Sequence, residues 1–204
     1  MDEAELLRQA QRGDLDAFNS VVLAHQTRAY NVALRVLGDG AAAADATQEA
    51  FISAYRSLRS YRGGSFRAWL LRIVTNACYD ELRRRKRRPA TSLEDLAPET
   101  EDGEPEVEAW LATQADGPER LSERTELVAA IQDCLDRLPD EFRVVAVLAD
   151  VQGCGYDEVA QAIGKPLGTV KSRLARARAR LRDCLQRHGE LLPAAFRLQG
   201  EVPS

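Results

Sequence analysis

The chain has 204 residues, 45% hydrophobic and 29% charged, with a formal net charge of −4, enough for one ordinary domain or two small ones. Its longest apolar run, Val144 to Ala149, falls far short of the ~20 residues that cross a bilayer. The start MDEAELLRQA places acids where a signal peptide carries bases, so a cytoplasmic protein with no membrane contact of its own is expected.

In chain order, Leu6, Leu7 and Ala10 predict a short helix stopped by Gly13. Asp14 is a candidate N-cap for a helix with Leu15, Phe18, Val22, Tyr30, Leu34 and Leu37 at helical spacing up to Gly38. DATQEAFISAYRSL, Asp45 to Leu58, predicts the next helix, followed by the loop RSYRGG. Ser65 can cap a last helix through WLLRIVTNACYDELRRR. On that helix Phe66, Leu70, Ile73, Val74 and Ala77 share an apolar side. Trp69, Arg72, Asn76, Asp80 and Arg83 share a second stripe that runs into RRRKRR at 83–88. Amides and guanidiniums bond base edges, an indole stacks on unpaired bases, and a basic end neutralises phosphates. Spacing alone is equally compatible with a solvated amphipathic helix and a half-buried Trp69.

Charge then reverses. From Glu94 to Glu126 there are twelve acids and two arginines, Arg120 and Arg124, interrupted by Pro98, Pro105, Pro118, Gly103 and Gly117. This composition predicts a flexible acidic linker over 89–121, dividing the chain into folded modules of 1–88 and 122–188, with a tail at 189–204 that has no assignable role.

In the second module Leu127, Ile131, Cys134, Leu135 and Leu138 predict a helix ended by Pro139, and Asp140 is a candidate cap for EFRVVAVLADVQG. YDEVAQAI, Gly164-Lys165-Pro166 and a longer helix from Leu167 or Gly168 follow. Two helices joined by a short Gly-containing turn describe a helix-turn-helix, whose second helix enters the major groove. On that second helix Val170, Leu174, Ala177, Leu181 and Leu185 form an apolar stripe. Lys171, Arg173, Arg176 and Arg180 lie away from it, with Thr169 and Ser172 near the helix start. No acid lies between Gly164 and Arg182, so the i,i+4 pairing of an ordinary solvated helix is missing and DNA binding is the favoured reading. The expected fold class is all-α: two small helical domains joined by the linker, the C-terminal one a helix-turn-helix.

Cys78, Cys134, Cys154 and Cys184 are scattered without a CxxC pair, and the only histidines are His25 and His188. No metal site, disulfide or cofactor can be read from that spacing, and each cysteine is expected to be a small buried hydrophobe. Neither a phosphate-cradling Gly-rich loop nor a GxSxG elbow occurs, so no catalytic residue is assigned.

The same residues resemble bacterial sigma factors of the extracytoplasmic-function type. DATQEAFISAYRSL is similar to that family's core-polymerase-binding helix, GGSFRAWLLRIVTNACYDELRRRKR to its −10 recognition segment, and LPDEFRVVAVLADVQGCGYDEVAQAIGKPLGTVKSRLARARARLR to its −35 module. The resemblance implies partners: core RNA polymerase, held through the β′ clamp and β flap, promoter DNA, and an anti-sigma factor. It implies that Asp45, Gln48, Glu49 and Phe51 hold the β′ clamp. Tyr61, Arg62, Gly63, Gly64 and Ser65 would cup a base flipped from the −10 strand, beside Trp69, Arg72, Asn76 and Arg83. Thr169, Lys171, Ser172, Arg173 and Arg176 would read or clamp the −35 duplex, with Arg180 on its phosphates. Gly153-Cys154-Gly155 departs from the usual larger apolar residue followed by Ser or Thr, and leaves Cys154 a candidate for exposure. Ala175 stands where a bulkier groove-facing residue is common.

Two other readings compete. A helix-turn-helix regulator acting alone on duplex DNA would use residues 1–88 for sensing or dimerisation, and would have no need of the Trp69, Asn76, Arg83 stripe. A nucleic-acid enzyme would need a metal-binding carboxylate cluster, whereas the isolated acids sit almost entirely on the linker.

Overall fold

The computed structural model describes residues 2–87 and 118–190, and among these residues it contains helices and no strand. Most of the predicted linker, and the tail from 191, lie outside the described residues. In chain order the helices are α1 (Glu3–Gln11), α2 (Leu15–Leu37), α3 (Gly40–Ser57) and α4 (Phe66–Arg87), with a 3₁₀ turn at Leu58–Ser60. The second stretch holds α5 (Pro118–Asp136), α6 (Asp140–Ala146), α7 (Tyr156–Ile163) and α8 (Leu167–Leu185), then a 3₁₀ turn at Gln186–His188. Helix α6 widens into a π turn over Val147–Val151, where Gln152 N donates to Val147 O at 2.9 Å.

Local chemistry sets most helix ends. Asp14 accepts from the backbone N–H groups of Asp16 and Ala17, both at 3.0 Å, a cap that stabilises by about 1 kcal/mol. Gly38 ends α2 at φ +69°, a left-handed conformation that favours glycine, and a Cβ there would lie 2.9 Å from the Asp136 carboxylate and displace it. Ser65 accepts from Ala68 N at 3.1 Å, as expected.

Three boundaries differ from expectation. Helix α3 begins at Gly40 rather than Asp45, because Asp39 accepts from Ala42 N at 2.7 Å and the alanine-rich first turns continue the helix. Helix α5 begins at Pro118, inside the stretch read as linker; proline is well placed at a first helical position. Asp140 does not cap α6: Pro139 precedes the helix and the Asp140 carboxylate accepts from Lys86 at 2.5 Å.

The two modules are packed together. Val21, Val32, Val36, Leu58, Leu71 and Val74 of the first are fully buried, as are Leu135, Val144, Val145, Val147, Leu148 and Val159 of the second. All belong to one continuous core, each contributing about 1.5–3 kcal/mol on burial. The reason lies in α4, which has two apolar faces. Besides Phe66, Leu70 and Val74, the residues Leu71, Thr75, Cys78 and Leu82 are buried. Arg67, one turn before Leu71, donates to Gln152 O at 3.0 Å and contacts Cys154 Sγ at 3.1 Å. Helix α2 meets α5 and α6 through Arg35 Nη1, which donates to Gln132 Oε1 (3.1 Å), and Arg143 Nη1, which donates to Val36 O (2.7 Å).

The cysteines require two corrections. Cys154 is buried, not exposed: 5% of it is accessible, and its amide donates to Leu148 O at 2.9 Å. Burial pushes its thiol pKa up, against the pull of Arg67. Cys134 and Cys184 are joined in a disulfide across fifty residues of sequence, with Cα atoms 5.7 Å apart; the fold brings α5 and the end of α8 side by side. Cys78 is buried with a free thiol, as expected.

Candidate DNA and polymerase interfaces

The loop Tyr61–Ser65 is held from three sides. Gln11 Nε2 donates to Leu58 O at 3.1 Å and to Tyr61 O at 2.9 Å, tying the loop to α1. Tyr61 Oη donates to Gly64 O at 2.7 Å, closing the loop on itself. Gly63 and Gly64 have φ of +95° and +94°, a conformation open in practice only to glycine. The Tyr61, Phe66 and Trp69 rings then pack pairwise with centroids 5.4–5.6 Å apart, and His25 stands edge-on to Phe66 at 5.3 Å. Burial, and then Glu3, push the Tyr61 phenol pKa up, so the hydroxyl remains a donor. Gln11, His25 and Phe66 were not among the predicted site residues. The signal for them was weak, since an isolated glutamine in a short helix reads as surface.

From this loop the predicted stripe runs along α4. Arg62, Gly63, Gly64, Ser65, Arg72, Asn76 and Arg83 are exposed and Trp69 is half-buried. Arg83 lies 3.3 Å from Asp80 in an exposed i,i+3 pair, a weak restraint that a phosphate can displace. The stripe and the loop therefore form one continuous surface, which a solvated helix with an unrelated loop would not need. Ser65 also donates to Glu158 of α7 at 3.3 Å, so the end of the loop touches the second module.

The four residues predicted for polymerase binding do not share one groove. Asp45, Gln48 and Glu49 are exposed on α3 and, with Ile52, Asp80 and Arg84, line an open groove between α3 and α4. Phe51 is half-buried and turned toward α2, where it lines a second depression with Val22, Tyr30 and Thr47; Gln48 borders both. Ile52 and Tyr55 are 45% and 41% exposed beside them. The sequence reading missed these two; an apolar residue on a stripe of acids was the available sign. Glu81, followed by Asp45 and Glu49, holds the Arg84 guanidinium pKa above its ordinary value.

In the helix-turn-helix, Gly164 caps α7 in the left-handed conformation and α8 starts at Leu167. Val170, Leu174 and Ala177 are buried, as the apolar stripe required. Lys171, Ser172, Arg176 and Arg180 are exposed and Thr169 is half-exposed; Ser172 Oγ donates to Thr169 O at 3.0 Å. Arg173 differs from expectation in being turned back to Glu141 at 2.5 Å. The Arg180 guanidinium lies 5.2 Å from the Phe142 ring centroid. Arg178, not predicted, donates twice to Asp150 at 2.6 and 3.0 Å, and that pairing raises its pKa. The side chains left open at the start of α8 are therefore Thr169, Lys171, Ser172 and Arg176, whereas Arg178 is braced by Asp150 and Arg180 lies against the Phe142 ring.

This architecture defines a two-module all-helical protein with an aromatic-basic surface on its first module and a helix-turn-helix in its second. Two family models match it: "Sigma-70 region 2" over residues 21–88 and "Sigma-70, region 4" over residues 129–181. The chain is 38% identical over 174 residues to the ECF RNA polymerase sigma factor SigE of Mycolicibacterium smegmatis, covering 85% of this chain and 63% of that protein. It is 36% identical over 185 residues to the RNA polymerase sigma-H factor of Pseudomonas aeruginosa, covering 90% of this chain and 94% of that one. The solved structure of CnrH in complex with the cytosolic domain of CnrY is similar with a TM-score of 0.62 and 27% identity, over 88% of this chain and 94% of CnrH. The chain is also 35% identical over 182 residues to the ECF RNA polymerase sigma-E factor of Escherichia coli, covering 89% of this chain and 93% of that one, and it belongs to the extracytoplasmic-function (ECF) family of RNA polymerase sigma factors.

Proposed function

We propose that this sigma factor binds core RNA polymerase through the α3 face around Asp45, Gln48 and Glu49, and recognises a promoter in two parts. The −10 element is met by the Tyr61–Ser65 loop with Trp69, Arg72, Asn76 and Arg83; the −35 element is met by Thr169, Lys171, Ser172 and Arg176. Arg173 joins them by exchanging Glu141 for a phosphate. A base flipped from the −10 strand costs a few kcal/mol, which aromatic stacking and edge hydrogen bonds offset, so melting follows from recognition. The chain supplies no catalysis of its own and works in the cytoplasm; among the described residues no helix is long and apolar enough to cross a membrane. An anti-sigma partner that docks on these faces is part of the same reading, and the CnrH–CnrY complex supports it by likeness.

The observation that carries this proposal is the continuity of the glycine loop, the aromatic cluster and the exposed α4 stripe in one module. A regulator acting on duplex DNA alone has no use for such a surface. The test is in vitro transcription with core polymerase and a promoter library. Lys171→Ala with Arg176→Ala is expected to weaken −35-dependent initiation and to lower the magnitude of the salt slope of duplex binding by about 2, with core binding intact. Loss of core binding in that double variant would mean that the modules are misassigned.

A further inference from the structure

We propose that Asp133, Cys134, Cys184 and His188 form a binding site for a thiophilic divalent ion, zinc above all, whenever the two cysteines are thiols. Asp133 and Cys134 are neighbours on α5. Cys184 and His188 lie one turn apart at the end of α8 and in the 3₁₀ turn that follows it. One ligand atom from each residue falls within 4.8 Å of the other three. His188 Nε2 lies 3.9 Å from Asp133 Oδ2. Zinc bonds of about 2.0–2.3 Å at tetrahedral angles place ligand atoms about 3.3–3.8 Å apart, so this cluster is near the required size. Cys134 and Cys184 are 1% and 8% exposed, and Asp133 and His188 are half-buried. Four protein donors with no open position describe a structural site rather than a catalytic one.

The donor set selects the ion. Two thiolates and an imidazole favour zinc over magnesium or calcium, which require oxygen ligands. Zinc with two thiolates, one carboxylate and one neutral imidazole carries a net charge of −1. The Arg137 guanidinium, 2.9 Å from Asp133 Oδ2, both balances that charge and orients the carboxylate, as outer-shell partners of metal ligands do. Lys171 is thirteen residues from Cys184 on the same helix, about 20 Å away at ~1.5 Å per residue. The site is therefore separate from the groove-reading end of α8, and the proposal is independent of promoter recognition.

Ion and disulfide are alternatives at this place. In the structure the two sulfurs are bonded to each other. Two electrons and two protons from a dithiol reductant, itself oxidised to a disulfide, convert Cys134 and Cys184 to thiols. Ion binding then releases both thiol protons and leaves the sulfurs as ligands. In a reducing compartment the dithiol is the resident form, so the ion takes over the disulfide's task of joining α5 to the end of α8.

The test uses the full chain, reduced with a dithiol, freed of excess reductant without oxygen, and titrated with cobalt(II) and then zinc. One equivalent of cobalt is expected, with a thiolate-to-cobalt charge-transfer band and the visible bands of a tetrahedral ion, displaced by one equivalent of zinc. Zinc should raise the melting temperature of the reduced chain, and the disulfide form should bind neither ion. Cys184→Ser should abolish the charge-transfer signature or weaken binding at least about tenfold, and His188→Ala should weaken it by a similar factor. Cys154→Ser should bind like the parent. Circular dichroism of each metal-free variant separates lost binding from lost folding, and His188→Ala, at a half-buried position, keeps the test open if a cysteine variant unfolds. A reduced chain that takes up no stoichiometric ion, or a binding signal that survives in folded Cys184→Ser, would overturn the proposal.

Discussion

The Arg143 guanidinium donates to three backbone carbonyls through its two terminal nitrogens, while its buried Nε has no partner. Nη1 donates to Val36 O at 2.7 Å; Nη2 donates to Asp136 O at 2.7 Å and to Leu138 O at 3.1 Å. The side chain is 9% exposed, with the Asp136 and Asp140 carboxylates at 3.6 and 4.0 Å. Arg143→Ala removes three charge-assisted bonds and leaves three carbonyls without their donor in a closed site. Such bonds are worth about 1.5–3 kcal/mol each before the released desolvation cost of the charge is counted, and a net loss of about 3 kcal/mol follows. In a chain of this size each kcal/mol moves the melting temperature by roughly 2–4 °C, so the variant should melt about 6–12 °C below the parent. Arg143→Lys keeps the charge but not the fork, and should recover part of the loss. The assay is a thermal melt by circular dichroism, with the Cys134–Cys184 pair held in the same redox state in every sample. A melt of Arg143→Ala within about 2 °C of the parent would refute the view that this guanidinium joins the modules.

Two further outcomes follow from the same geometry. Trp69→Ala in the holoenzyme should weaken binding of a single-stranded −10 oligonucleotide by about 5- to 150-fold, the range of one lost base stack, while Trp69→Tyr keeps most of the affinity; fluorescence anisotropy that finds no change in Trp69→Ala would remove the ring from the DNA surface. Cys78 is pushed by burial from 9.0 up to about 12. The unfolded thiol thus ionises first, and stability should fall as pH rises through the window from 9 to about 12, by about 1.4 kcal/mol per unit at most. Cys78→Ala should lack that part of the slope in urea titrations at successive pH values, and parallel slopes for parent and variant would show that Cys78 does not titrate in this way.

Much of the fold was legible because each helix carries its own punctuation. Asp14, Gly38, Ser65 and Gly164 end or start helices where their chemistry demands, and the Val170, Leu174, Ala177 stripe fixed which side of α8 stays outside. The exposed stripe Arg72, Asn76, Arg83 was readable for the same reason. What escaped depends on partners distant in sequence. Leu71, Thr75, Cys78 and Leu82 follow helical spacing as clearly as the first apolar side of α4, but one core was already enough to explain that helix. Arg143 inside FRVVAVL looks like a solvated charge until three carbonyls from α2 and the end of α5 are seen around it. Arg173 was expected to face the groove because its own helix leaves it there; Glu141 on α6 turns it back. Cys134 and Cys184 share no motif, and only the packing of α5 on α8 makes them neighbours.

The shared core of the two modules sets a limit on reach. Promoter elements centred about 25 base pairs apart are separated by about 85 Å of duplex at ~3.4 Å per pair, whereas a compact chain of 204 residues has a radius of gyration of about 17 Å. A closed molecule can touch one element but cannot straddle both. Thirty residues join Arg87 to Pro118, and thirty residues drawn out fully measure about 100 Å, so the covalent tether is long enough once the modules part. The contacts at Arg143, Arg67, Lys86 and Ser65 thereby act as a threshold: DNA and polymerase must together outcompete the protein's hold on itself before both halves of a promoter can be read at once.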